Sequence, residues 1–92
     1  MRRSMVSTEA VRSAGVAVTA QVAEDEACKL YQRFSEGKDA ALFEDEFNIA
    51  GEMLTVVKTE KHAFVFFAEY ALNEDGTESD EVDLFMVNVF TL

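Results

Sequence analysis

Ninety-two residues, of which 49% are hydrophobic and eight are Phe, make one small domain with a modest core and are too apolar for a disordered chain. Eighteen acids against eight bases give a net charge of −10, a surface that repels nucleic acid and anionic membrane, since both need cationic contacts. A single cysteine, Cys28, and a single histidine, His62, exclude an internal disulfide and any metal site built from several of either.

The chain opens on MRRSMVSTEAVRSAGVAV, with the arginines and serines of a targeting peptide, but Glu9 and Arg12 interrupt any apolar signal core. The stretch is therefore read as mature protein, frayed over residues 1–6, and no apolar run approaches the roughly 18 residues of a membrane span. A cytoplasmic location is the expectation.

Ser7-Thr8-Glu9 has the form of a helix start, with a hydroxyl to accept an exposed backbone N–H and an acid in the first turn. Beyond it Val16, Ala20, Ala23, Ala27, Leu30 and Phe34 recur at alternating spacings of four and three, one face of a helix. Gly37 can take the left-handed conformation that ends it, so a helical region is expected from about 8 to 36. A rival reading makes GVAVTAQV (15–22) a strand, with Val16, Val18, Ala20 and Val22 on one side and Glu24-Asp25-Glu26 opening a shorter helix. The unbroken apolar stripe favours the helix. Asp39 can cap a second helix over about 39–50, with Leu42, Phe43, Phe47 and Ala50 inward, Glu44, Asp45 and Glu46 outward, and Gly51 as its stop.

From Met53 the period changes. Residues 53–59, 62–72 and 82–92 are rich in β-branched and aromatic side chains and predict a three-stranded antiparallel meander, giving an α+β fold. Thr59 to His62 suits a hairpin turn, and Asn73-Glu74-Asp75-Gly76 carries turn residues in order. A tight turn at 73–76 would set Leu72 opposite Thr77 and strand the apolar residues 87–92. A wider loop over roughly 73–81 sets Leu72 opposite Val82 and matches the two apolar runs, so the wider loop is expected.

The strands are too greasy for a sheet with one wet face: Phe64 to Phe67 and Leu84 to Val87 are consecutive apolar residues. Either the two helices cover opposite faces or one face meets a partner. Two helices over a meander usually share a face, which points to a homodimer through Phe85, Val87 and Val89.

Enzyme signatures are missing. The chain has no G-x-G-x-x-G, no phosphate-loop lysine motif and no H-E-x-x-H, and Cys28 and His62 read as a helix residue and a turn residue. A calcium loop begun at Asp75 fails, because Asp80 stands where such a loop needs Gly and Met86 where it needs Glu. No catalytic residue, metal or cofactor is expected.

What remains is surface. Glu24, Asp25, Glu26, Glu44, Asp45 and Glu46 on the helices, with Glu74, Asp75, Glu78, Asp80, Glu81 and Asp83 beyond the second strand, form a negative exterior suited to a basic protein surface. The leading expectation is a non-enzymatic protein-binding module. In its sharpest form it mimics nucleic acid and blocks a nucleic-acid-binding protein, as small acidic inhibitors of restriction and CRISPR systems do as a class. The alternative is a structural or assembly protein that self-associates through its apolar sheet.

Overall fold

The computed structural model describes residues 5–92. Two helices and five strands follow in the order α1 (Thr8–Ser13), β1 (Ala20–Gln21), α2 (Glu24–Ser35), β2 (Phe43–Ile49), β3 (Glu52–Lys58), β4 (His62–Leu72) and β5 (Glu78–Thr91). The strands form one antiparallel sheet in the order β1-β5-β4-β3-β2. The fold is α+β, and the expected meander is its β3-β4-β5 centre, extended by a strand on each side.

The single long helix over 8–36 is corrected to two short helices joined by extended chain. Ser7 caps α1 as anticipated, its Oγ accepting from the Ala10 N–H at 3.1 Å. The helix stops at once, because Gly15 turns the chain back and Arg12 fastens the return. The Arg12 guanidinium donates to the carbonyl oxygens of Val18 and Thr19, both at 2.7 Å. Val16 and Val18 then point into the core as a strand-like pair. The rival reading of 15–22 thus describes the local geometry better, although the paired strand is only two residues long. α2 begins at Glu24 with three acids at its positive end. It closes on Gly37 at φ +78°, where the Gly37 and Lys38 N–H groups bond back to Phe34 and Arg33.

The second helix expected over 39–50 is a strand. β2 pairs along its whole length with β3, Phe43 opposite Lys58 and Ile49 opposite Glu52. Ala50 and Gly51 form the two-residue turn between them, both at positive φ (54° and 84°). As a strand, Phe43, Phe47 and Ile49 share one face, and the Phe43 and Phe47 rings lie 6.1 Å apart.

Both faces of the sheet centre are covered by the chain itself. On one face Val11 of α1 packs with Val16, Val18, Leu54, Val56, Val65 and Phe90. On the other Ala27, Leu30, Tyr31 and Phe34 of α2 pack on Val57, Phe64, Phe66 and Val89. The Phe34 and Phe64 rings are stacked at 5.2 Å. Phe64 to Phe66 on β4, and Val87, Val89 and Phe90 on β5, are buried on both sides because a helix lies over each side, with Asn88 among them bonded to the Val6 carbonyl.

Residues 1–4 of the expected fraying lie outside the described residues. Val6 is tied down: its carbonyl accepts from Asn88 Nδ2 at 3.0 Å and its side chain packs against the core.

Candidate functional site

β4 and β5 form a long hairpin whose far half leaves the body. β3 reaches along β4 only to Phe66, and β1 touches β5 only at Phe90 and Thr91. Beyond Phe67 and Phe85 the hairpin is therefore a two-stranded arm with both outer edges open among the described residues, in a molecule 44 Å long and 24 Å thick.

The arm resolves the register problem without a wide loop. The turn is tight: the Asn73 N–H donates to the Thr77 carbonyl at 2.8 Å, and Leu72 lies opposite Glu78. Two irregularities on β5 absorb the mismatch, one between Val65 and Phe66, the other between Tyr70 and Leu72. β5 spends 14 residues against 11 of β4. The extra residues let the turn keep its short form while Phe64 still meets Val89, and bulges of this kind also twist an exposed edge. The expected loop over 73–81 is thereby corrected, since Glu78 to Asp83 belong to a strand.

Asp75 organises the turn. Its Oδ1 accepts from Thr77 Oγ1 at 2.6 Å and from the Thr77 N–H at 3.1 Å. The Thr77 hydroxyl, followed by its backbone N–H, stabilises the carboxylate and holds its pKa below the ordinary value.

Pairing fixes what each face of the arm shows. On one face Tyr70 lies opposite Val82 and Ala68 opposite Leu84, with Leu72 next toward the tip. Tyr70 (53% exposed), Leu72 (70%), Val82 (43%) and Leu84 (46%) form an open apolar strip that continues the α2 side of the core past the end of that helix. On the opposite face Glu69 lies directly across from Asp83 and Phe67 from Phe85, which is half exposed. Glu74, Asp75, Glu78, Asp80 and Glu81 are exposed around the tip. From His62 to Leu92 there are seven acids and no Lys or Arg.

No known protein family, curated protein or solved structure matches the chain.

The arm gathers only part of the expected site. Glu74, Asp75, Glu78, Asp80, Glu81 and Asp83 come together with Glu69. Glu24, Asp25 and Glu26 lie at the start of α2 beside the β1 edge, and Glu44, Asp45 and Glu46 on β2 at the opposite edge, where charge discourages further strand pairing. The negative exterior is thus three separate patches. Of the three residues expected to mediate self-association, Val87 and Val89 are buried within the chain and only Phe85 reaches the surface. Sequence reasoning passed over Tyr70, Leu72, Val82 and Leu84. Their signal was present: after Phe67 the continuous apolar run gives way to alternation, Ala68-Glu69-Tyr70 and Val82-Asp83-Leu84, the pattern of a strand leaving a core.

Cys28 is exposed on α2, and the side chains around His62 include Leu30 and Arg33 of that helix but not Cys28. Among the described residues no three His, Cys, Asp or Glu side chains are grouped so as to hold a metal ion, and no helix is long and apolar enough to cross a membrane.

Proposed function

We propose that the protein is a non-enzymatic binding module whose acidic, apolar arm docks on a basic protein surface. The observation that carries this reading is the open strip of Tyr70, Leu72, Val82 and Leu84 on an arm whose tip and opposite face carry seven carboxylates with no base among them. An apolar strip with a charged rim has the anatomy of a protein interface. The single sign of that rim selects the partner, because an anionic rim is desolvated at least cost opposite lysines and arginines. Pairing of the arm with a second copy would set seven carboxylates against seven, which argues for a different, basic protein. Nucleic-acid mimicry is one form of this reading, in which the basic surface is the one the partner uses for DNA or RNA. A two-stranded ribbon is marginal alone in water, so a partner that covers it also completes it.

Affinity capture on the immobilised full chain, followed by titration of the captured protein, tests the reading. The partner should be basic at the contacting surface, and its affinity should fall about tenfold or more between about 0.05 M and about 0.3 M salt. Neutralising Asp80, Glu81 and Asp83 to the amides should weaken binding and flatten the salt dependence, and Leu84→Ser should weaken it at every salt concentration. Competition by nucleic acid identifies the mimic form. A partner whose binding ignores both salt and these substitutions removes the proposal.

A further inference from the structure

At the opposite end of β4 the bases missing from the arm reappear. The last turn of α2, the 38–42 segment and the β3–β4 turn enclose an open cleft of about 500 Å³, within the size range of small-ligand sites. Leu30, Ala40 and Leu42 supply an apolar wall, and Arg33, Lys38, Lys61 and His62 converge around it. Three of the eight Lys and Arg residues of this strongly acidic chain, together with its one histidine, thus line one cleft.

Their donors are only partly used. Arg33 gives Nε to Asp39 at 3.2 Å, which fixes the guanidinium and leaves its two terminal nitrogens for another acceptor. Lys38 contacts Glu36 at 3.1 Å through one of three N–H donors. Lys61 has no ion-pair partner among the described residues. Its backbone is rigid: the Thr59 N–H donates to the His62 carbonyl at 2.9 Å, and the Leu92 N–H to the Lys61 carbonyl at 3.0 Å. Asp39 balances Arg33, Glu36 balances Lys38 and Glu60 is a third acid beside Lys61, so what the cleft offers an anion is unused N–H donors rather than an excess of positive charge.

The acids of the arm do not govern this end. β4 runs 11 residues from His62 to Leu72, which places the acidic tip about 33 Å from the cleft at the usual rise per residue. Screening acts over about 10 Å at 0.1 M salt, so the groups of the cleft itself set the potential there.

We propose that this cleft binds a small organic oxyanion, a carboxylate or phosphate ester with an apolar body. The charged head meets Arg33 and Lys61, and the body lies along Leu30 and Leu42. The proposal stands apart from the docking arm.

The test is an amide NMR titration of the full chain at about 0.1 M salt with phenyl phosphate, inorganic phosphate and benzyl alcohol as probes. Phenyl phosphate should produce saturable shifts confined to residues 30–42 and 59–62. Inorganic phosphate should bind the same residues more weakly, and benzyl alcohol should leave them unmoved. Arg33→Gln and Lys61→Gln should each raise the phenyl phosphate Kd about tenfold. Lys61 is exposed and makes no side-chain contact that the fold needs, so its variant keeps the test valid if loss of the Arg33–Asp39 pair disturbs the 38–42 segment. Absent or chain-wide shifts, equal response to benzyl alcohol, or a Lys61→Gln protein that binds like the parent would overturn the proposal.

Discussion

Ala50 sits at φ +54°, a conformation that costs an L-residue with a Cβ roughly 1–2 kcal/mol. Two-residue hairpin turns need positive φ at both positions, which is why Asn-Gly is their common sequence. Here the pair is Ala-Gly, and the missing Asn is one reason the β2–β3 hairpin is hard to read from the chain. Ala50→Gly or Ala50→Asn should therefore raise the unfolding free energy by about 1 kcal/mol with the sheet unchanged, measured by urea denaturation. Equal or lower stability would mean that the turn carries no strain. Thr77 invites a second test. A carboxylate with a lowered folded-state pKa contributes stability above the ordinary carboxylate range and loses it as pH falls through the lowered value. Thr77→Val removes the hydroxyl and keeps the backbone N–H, so the Asp75 pKa should rise part of the way to its ordinary value. Carbon-detected NMR titration of the Asp75 carboxyl reads this directly.

Among the elements, those with one dominant signal were legible. The β3–β4–β5 meander follows from β-branched and aromatic runs and its first turn falls at Thr59–His62, whereas its second is the tight turn at Asn73–Gly76 in place of the wider loop expected over 73–81. The region 39–50 reads as a helix and is a strand, because Phe43 and Phe47, four apart, share a face in a helix and in a strand alike. Long-range pairing with β3 decided it, and no local window contains that information. In the same way the stripe from Val16 to Phe34 is helix-like in spacing, yet Gly15 and the Arg12 clamp divert its first half. The arm was legible in charge and not in shape, since bulges shift register without any sequence marker as plain as a turn. Core and arm should respond differently to mutation. Phe64 is almost wholly buried between Phe34 and Phe66, so Phe64→Ala should cost about 3–5 kcal/mol. Leu84→Ser, on the open strip, should change stability by no more than about 0.5 kcal/mol while weakening partner binding. A Leu84→Ser protein as unstable as Phe64→Ala would show that the strip is core.

For the whole molecule, the two-sided apolar sheet follows from placing α1 and α2 on opposite faces, so stability comes from two thin layers rather than one thick one. The charge is also divided. Arg33, Lys38 and Lys61 cluster at one end of β4, while seven acids without a Lys or Arg among them occupy the arm at the other. Within the arm Glu69 faces Asp83 directly across the ladder, a like-charge pair that opposes pairing. Self-repulsion of this kind is a cost that mobile ions relieve. The screening length shrinks from about 30 Å at 0.01 M to about 8 Å at 0.15 M. The thermal midpoint should therefore climb steeply over that range of sodium chloride and flatten above it, once the remaining repulsion is between near neighbours. Sulfate at matched ionic strength should give the same early rise, since screening depends on ionic strength, and should separate from chloride only at high concentration, where exclusion from apolar surface adds stability. Glu69→Gln should reduce the early rise and raise the midpoint in dilute buffer. A midpoint flat from the lowest salt upward, or one rising in proportion to salt without a plateau, would show that the carboxylates cost the folded state nothing and that the −10 charge serves the outside of the molecule alone.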